Sequence, residues 1–581
     1  MSIPESCAVL VIGGGPAGSY AASALAREGV DVVLLELDHF PRYHVGESML
    51  ASMRHFLRFI DLEKTFEAYG FERKNGAAFK LNSKRPGYTD FLQANGPQGY
   101  SWNVIRAESD KLMLDHAAQS GARTFQGVKV ESVAFVPTGP ESDFPHDDGR
   151  VANPGRAVSA AWSRKADGAT GSIAFDFVID ASGRNGLLST RYLKNRRFND
   201  GLKNVAQWGY WADAAPYAPG TPHEGAPLFE ALADQSGWCW AIPLHDGTLS
   251  VGVVMRQDLH TARKRGLAQA EAGAGPDAEA LYRHCLTLAP VILARLAGAG
   301  FRHDKGGVRF ASDWSYSAAA YAGPNFRLAG DAGCFVDPYF SSGVHLALAS
   351  GLAAAASVQA ARPGGGLTAL EAARWHSAKV AETYSRFLLT VLTALRQIRA
   401  GDEPVVTDFD EDGFDRAFAL FKPIIQGQAD ADVGGRLTQE LVSKSVDFCM
   451  NAFADVTPAQ GRAVLQKLGP EAAAPEALEK LLTADEMAVL RTVRARQMLR
   501  AEEALNLDLF KADVVDGFVP RLVTGKLGLD RVTTTGQNGV AAADRSDTLF
   551  EAGLSGHARL PEGLMSEVGE RGEKRSAGHG V

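Results

Sequence analysis

The run Val9 to Gly18, VLVIGGGPAG, constrains this chain more than any other stretch. A short apolar segment enters glycines spaced G-x-G-x-x-G and leaves into an alanine-rich segment. That order is a strand, a tight turn and a helix. Gly13 permits the turn, Gly15 lets a pyrophosphate approach the backbone, and Gly18 lets the helix pack closely on the strand. Pro16 and Ala17 stand in the helix's first turn, whose unpaired N–H groups suit phosphate. A second apolar run, Asp31 to Glu36, ends in an acid about twenty residues further on, where a ribose hydroxyl needs an acceptor. The expectation is a bound dinucleotide at the N-terminus.

The rest of the composition narrows the partners. With 581 residues, 45% of them hydrophobic, length does not limit the core. The balance of 60 basic against 68 acidic residues, with no long basic block, speaks against nucleic acid or an anionic membrane and for a small molecule. Cys7, Cys239, Cys285, Cys334 and Cys449 are scattered without C-x-x-C spacing, so no metal site and no disulfide framework is expected, and a reducing, cytoplasmic setting is. The N-terminal apolar stretch lacks a basic leader and is read as the first strand, not as a signal peptide. Val344 to Ala361 is apolar but alanine-rich and carries His345, Ser350, Ser357 and Gln359; it reads as a buried helix with no membrane span.

Further along, Phe40 to Ser48 (FPRYHVGES) mixes a cation, a glycine and small polar groups. Arg42 and Ser48 can wrap a cofactor's phosphate and ribitol, and a solvated turn after Pro41 fits the same residues equally. Gly70 to Lys80 places Arg73, Lys74 and Lys80 near an apolar patch; a solvated lysine is the ordinary outcome, and a buried one would be a donor or nucleophile of depressed pKa. Arg106 opens a helical stretch and either reaches cofactor oxygens or pairs with Asp110 one turn on. Strands ending in Asp180-Ala-Ser-Gly183 and in Gly330-Asp331-Ala-Gly333 supply two more backbone approach points. Asp331 there can accept from a ribitol hydroxyl while a helix N-terminus faces an isoalloxazine ring, which favours FAD over NAD.

Taken together, G-x-G-x-x-G, the acid ending the second strand, D-x-x-G and G-D-A resemble the FAD-dependent monooxygenases of para-hydroxybenzoate hydroxylase type. Trp238-Cys-Trp-Ala-Ile-Pro243 matches the W-x-W-x-I-P signature of flavin-dependent halogenases, and Pro338 to Gly343 is similar to their halide-side loop. Within that family the chain looks most like the fungal halogenases of phenolic polyketides, the radicicol halogenase type. Physically, Trp238, Trp240 and the rigid exit at Pro243 put two indoles on one strand face, able to separate flavin from substrate; a tryptophan pair in any sheet core has the same pattern.

The resemblance implies a mechanism and a set of roles. Reduced FAD and O2 give a flavin hydroperoxide, chloride or bromide is oxidised to hypohalous acid, and a lysine along an internal tunnel passes the halogen to the substrate. Lys74 is the match for that lysine, with Lys80 a weaker candidate. Halide would rest on N–H groups near Ser342 and Gly343 at a helix start, where anions are favoured; an ordinary N-cap fits the same residues. Tryptophan halogenases carry a glutamate where this chain has Phe340, which points to a phenol, a ring that supplies its own electron density. A separate flavin reductase is the implied partner. An aromatic hydroxylase using NAD(P)H and a non-catalytic flavin-binding protein are the alternatives.

The expected architecture is α/β: an FAD-binding Rossmann-like fold of para-hydroxybenzoate hydroxylase type, with a substrate-side β-sheet and a helical C-terminal region. Residues 1–365 form the core, with the FAD module at about 1–70, 100–190 and 300–365 and the substrate-side sheet at about 71–99 and 191–299. Residues 136–156, rich in Pro, Gly, Asp and Ser, read as a surface excursion. Helical periodicity over 381–399 and 484–507 suggests a cap spanning 366–566, and residues 567–581 have too little apolar content to order themselves.

Overall fold

The computed structural model describes residues 2–80, 86–92, 97–137, 153–270, 277–400 and 514–532, with isolated positions between 463 and 490. The chain crosses twice between two eight-stranded sheets. It opens with β1 (Ser6–Ile12), α1 (Pro16–Ala26) and β2 (Val32–Glu36), then leaves through α2 (Ser52–Phe59) and α3 (Glu63–Tyr69). A first excursion follows: β3 (Glu72–Lys74), β4 (Gly76–Lys80), β5 (Gly87–Asp90) and β6 (Ser101–Asn103). The return runs through α4 (Arg106–Gln119), β7 (Arg123–Gln126), β8 (Val128–Val136), β9 (Arg156–Arg164) and β10 (Thr170–Asp180).

The second excursion comprises β11 (Arg196–Ala212), β12 (Leu228–Ala231), β13 (Gly237–Pro243), β14 (Thr248–Arg256), α5 (Gln257–Ala270), α6 (Ala278–Leu286), α7 (Pro290–Arg295), β15 (Gly300–Phe301) and β16 (Arg309–Ala318). The chain comes back through β17 (Ala322–Gly323) and β18 (Phe326–Leu328), then enters the long helices α8 (Gly343–Ala361) and α9 (Ala369–Ala400). A hairpin, β19 (Phe518–Arg521) and β20 (Gly528–Arg531), ends the described part.

The first sheet runs β17-β18-β10-β1-β2-β7, with β8 and β9 appended through β10. Strands β18, β10, β1, β2 and β7 are mutually parallel. Parallel strands need both faces covered, and β2 is buried at all five positions. Alanine-rich α1 and α8 cover one face at close range: a Cβ on Gly351 would lie 2.6 Å from the Ala17 carbonyl oxygen. This is why an apolar 19-residue helix long enough for a membrane is here a core helix, 83% of its most apolar stretch being buried.

The second sheet runs β15-β11-β14-β13-β12-β4-β5, with β16 on β11. Along β13 the side chains alternate: Trp238, Trp240 and Ile242 face the core shared with the first sheet. Cys239 and Ala241 face a separate core closed by Tyr282 and Cys285 of α6. The second sheet thus continues to Ala318, past the boundary expected at 299.

Three further expectations meet the structure here. The hairpin of β8 and β9 brackets the expected excursion, pairing Val136 with Arg156, although 138–152 lie outside the described residues. Helix α9 holds the periodic stretch over 381–399, with Phe387, Leu388, Val391 and Leu395 buried. Within the span 366–566 expected as a helical cap, residues 514–532 contain an antiparallel hairpin. Glu28, just past α1, accepts from the amides of Gly525 at 2.7 Å and Leu527 at 3.0 Å. The bulk of the helical stretch at 484–507, Cys449 and the tail at 567–581 lie outside the described residues.

Candidate active site

A cavity of about 700 Å³ lies between the carboxyl ends of β1 and β10, the start of α8 and the inner face of the second sheet. Gly13, Gly15, Pro16, Ala17, Glu36, Arg42, Ser48, Arg106, Asp331, Gly343, Trp238 and Trp240 all border it. Residues spread over more than 300 positions are thereby brought to one chamber, at the strand ends where open α/β sheets bind ligands.

The glycines divide by role. At Gly13, φ is +101° and a Cβ would sit 2.2 Å from the Ala181 carbonyl oxygen; at Gly18 a Cβ would sit 2.0 Å from that of Gly13. Both are required by the fold itself, and Gly18 does not border the cavity. Gly15 differs, since a Cβ there would meet only Arg42 Nη2, at 3.5 Å. Its open side faces the chamber at the N-terminus of α1. Glu36 closes β2 with Oε2 accepting from Gly14 N at 2.5 Å and Oε1 from Asp38 N at 2.8 Å, leaving lone pairs for a hydroxyl.

The two readings of Arg106 coincide. Its guanidinium grips Asp110 with both arms, at 2.8 and 3.0 Å, donates to the Val45 carbonyl at 2.9 Å, and still borders the cavity. Arg42 shares Asp110 at 2.9 Å. Asp331 is raised above the usual carboxylate range by burial, against the pull of Arg184, Arg106 and Arg196.

The tryptophan pair forms the far wall. Trp238 and Trp240 lie with ring centroids 5.8 Å apart. Room for the second indole comes from its cross-strand partner: a Cβ on Gly252 would lie 2.2 Å from the Trp240 ring. Pro243, at the end of β13, does not border the chamber. Next to this wall, Asp337 accepts from Tyr339 N and begins a turn over Pro338–Phe340, and Ser341 follows with φ +59°. Helix α8 then opens at Ser342 without a side-chain cap. Ser342 Oγ is buried with no hydrogen-bond partner among the described residues. Phe340 packs on Phe79 and Tyr339. His345, in the first turn of α8, shares a hydrogen bond of 3.0 Å with Ser52 Oγ, and burial pushes its imidazole down to about 3.

Lys74 does not border the chamber. It is 2% exposed, its Nζ donates to the Met49 carbonyl at 2.9 Å, and the Phe91 ring lies 5.0 Å away. Met49 directly follows Ser48 of the chamber rim. Burial alone lowers this amine from 10.5 to about 7, because a buried ammonium loses its hydration. Strand alternation in β3 turns Arg73 the other way, onto the Tyr100 ring at 3.7 Å. Lys80 pairs with Glu230 at 3.4 Å. Among the described residues no group of three or more His, Cys, Asp or Glu is arranged to hold a metal.

The sequence profile of the tryptophan halogenase family matches residues 8–135 and 95–387. This chain belongs to that family of flavin-dependent halogenases. Sulochrin halogenase gedL of Aspergillus terreus is 54% identical over 542 residues, covering 92% of this chain and 95% of the relative. Flavin-dependent halogenase rdc2 of Metacordyceps chlamydosporia is 49% identical over 550 residues, covering 92% of this chain and 100% of the relative. The myxobacterial chondrochloren halogenase CndH superposes with a TM-score of 0.58 at 26% identity, over 77% of this chain and 97% of that one. The flavin-dependent halogenase CmlS shares the fold, with a TM-score of 0.61 at 23% identity, over 98% of this chain and 95% of that one.

The halogenase is an FAD enzyme, and its residues fit that group. The chamber is lined by Gly15 at the N-terminus of α1, by the cations Arg42 and Arg106, and by the acids Glu36 and Asp331, a donor and acceptor set that suits a pyrophosphate and its hydroxyl-bearing arms. The spacing of the opening glycines and of the W-x-W run made most of this chamber readable. Glu47, Tyr43, Tyr210 and Asp337 were missed, because nothing local in the chain marks them.

Proposed function

We propose that the halogenase chlorinates an electron-rich phenolic ring, bromide serving as an alternative halide, with Lys74 carrying the electrophilic halogen. When bound, reduced FAD supplies the two electrons that, with O2, halide and one proton, yield hypohalous acid, water and oxidised FAD. Gly13, Gly15, Pro16, Ala17, Glu36, Arg42, Ser48, Arg106 and Asp331 border the chamber that would hold FAD. Halide is assigned to the backbone N–H groups at the opening of α8 beside Ser342 and Gly343, where the helix start favours an anion.

The observation that carries this reading is the burial of Lys74, which leaves much of its amine unprotonated at neutral pH. A free amine takes the halogen from hypohalous acid and releases water. It then gives the halogen to the ring carbon, which sheds its proton. Trp238 and Trp240 support the same reading, as a wall that keeps substrate from the flavin chamber. A phenolic substrate is supported by Phe340, an apolar residue at the position where tryptophan halogenases carry a glutamate. The relatives include a sulochrin halogenase, which agrees with the class without fixing the compound. A separate reductase supplying reduced flavin completes the proposal.

The test is product mass spectrometry on a resorcylic-type phenol with chloride and reductase-supplied FADH2, wild type against Lys74→Ala. A chlorine isotope pair lost in the variant is the expected result. Product heavier by one oxygen in both proteins, or rapid NADPH oxidation by the protein alone, overturns it in favour of an aromatic hydroxylase.

A further inference from the structure

Oxidising a halide with reduced FAD and O2 consumes one proton per turnover, and that proton has to reach the chamber. The candidate roles above do not use Glu47, although it borders the cavity and is only 3% exposed. Its Oε1 accepts from the Tyr210 hydroxyl at 2.7 Å. The Tyr210 oxygen lies 2.9 Å from that of Tyr43. Trp208 Nε1 donates to the Tyr43 oxygen at 2.7 Å. Tyr43 is 43% exposed, and neither tyrosine borders the chamber.

The donor order fixes a direction. An indole N–H can only donate, so with Trp208 on its oxygen, Tyr43 is free to turn its own proton to Tyr210. Tyr210 in turn donates to Glu47. Every hydrogen bond in the row then points from solvent towards the chamber, as a hop of protons requires.

We propose that Tyr43, Tyr210 and Glu47 form a proton relay that delivers the proton of halide oxidation from solvent to the chamber. Each oxygen gains one proton and gives one up: Tyr43 from water, Tyr210 from Tyr43, Glu47 from Tyr210, and the chamber from Glu47. No tyrosinate has to accumulate. The carboxyl suits its end of the row, since burial first of all raises it, against hydrogen bonds from Ser250 and Tyr210 and the charges of Arg106 and Lys305. Around the outer end, Arg309 stacks over Tyr43 at 3.6 Å and Lys305 lies 5.5 Å from the Tyr210 ring. This inference is independent of Lys74 and of the phenol.

The experiment uses the FAD-loaded enzyme with chloride and a small diketone trap for hypochlorous acid, so no phenol is needed. Tyr43→Phe and Tyr210→Phe should bind FAD as wild type does by fluorescence. Each should form hypochlorous acid about tenfold or more slowly above neutral pH. Added imidazolium buffer should restore the rate in the variants and leave wild type unchanged. Infrared titration of the oxidised holoenzyme, against Glu47→Gln, should show a carboxyl that keeps its proton to higher pH than an ordinary glutamate. Rates within about twofold of wild type in Tyr43→Phe, a loss that buffer acid does not rescue, or an ordinary carboxyl titration overturns the relay. Tyr43 is far less buried than Tyr210, so its variant keeps the test decisive if Tyr210→Phe does not fold.

Discussion

The Trp238 indole stands edge-on to the Tyr339 ring, with centroids 5.1 Å apart and planes at 86°. Strand β13 and the turn that leads into α8 therefore pack directly on one another. Trp238→Ala should destabilise the protein by about 3–5 kcal/mol, the usual cost of emptying a large aromatic site. Slackening the loop should also lower halogenated product per O2 consumed, on the order of tenfold. Thermal denaturation and paired oxygen and product measurements check both. Unchanged coupling would show that the indole only fills space.

Lys74 makes two predictions of opposite character. Lys74→Met should retain FAD and abolish halogen transfer by at least about 10²-fold, and Lys74→Arg should fail equally, because a guanidinium stays charged. The stability effect has the opposite sign. The unfolded chain holds the lysine proton up to 10.5, whereas the native amine releases it near 7. Between those values the unfolded state binds more protons, so stability rises with pH across the window, by at most about 1.4 kcal/mol per pH unit. Denaturant midpoints from pH 7 to 10 should flatten in Lys74→Met; an unaltered slope would mean that the amine is not held as a buried neutral group.

Gly13 and Gly15 separate folding from cofactor binding. Gly13→Ala forces a Cβ to 2.2 Å from a carbonyl oxygen at positive φ, and should cost about 3 kcal/mol or more. Gly15→Ala meets nothing nearer than Arg42 Nη2 at 3.5 Å. It should melt as wild type does without cofactor, yet bind FAD about tenfold or more weakly, because the added methyl projects where the pyrophosphate must approach. Calorimetry of the two variants with and without FAD distinguishes the cases.

What the sequence made legible was what local spacing enforces. The glycine turn, the acid ending β2 and the alternating tryptophans each satisfy a geometric need within a few residues, so their pattern carries their place at the chamber. Lys74 was readable as a candidate, but its burial depends on Met49 and Phe91, which only the fold brings to it. Glu47 and Tyr210 are 163 positions apart and meet only because the loop before α2 crosses β11. The hairpin of β19 and β20 is short, and what holds it comes from distant parts of the chain: Phe518 and Leu529 bury in the core that α1 and α8 share, and Glu28 and Glu371 bond it from outside. Helical periodicity in the neighbouring stretches could not announce it.

Asp337 gives the last prediction, because it ties the turn before α8 to the second sheet. Its carboxylate accepts from Tyr339 N at 3.0 Å and from Asn204 Nδ2 at 2.8 Å, and its own N–H donates to Ser315 Oγ at 2.9 Å. Burial raises this acid from 3.8 to about 6. Between those values the native state binds more protons than the unfolded chain, so the group's contribution falls as pH rises through the window. Asp337→Asn removes the buried charge while keeping an acceptor for Tyr339 N, and Asn204 can turn its amide to match. It should be as stable as wild type or more so above about pH 6 and retain the halide KM. Asp337→Ala strands Tyr339 N and the Asn204 amide, at about 1–3 kcal/mol for each buried group. It should raise the KM for chloride more than it lowers kcat. Equal chloride dependence in the alanine variant and wild type would show that the turn holds its shape without the carboxylate.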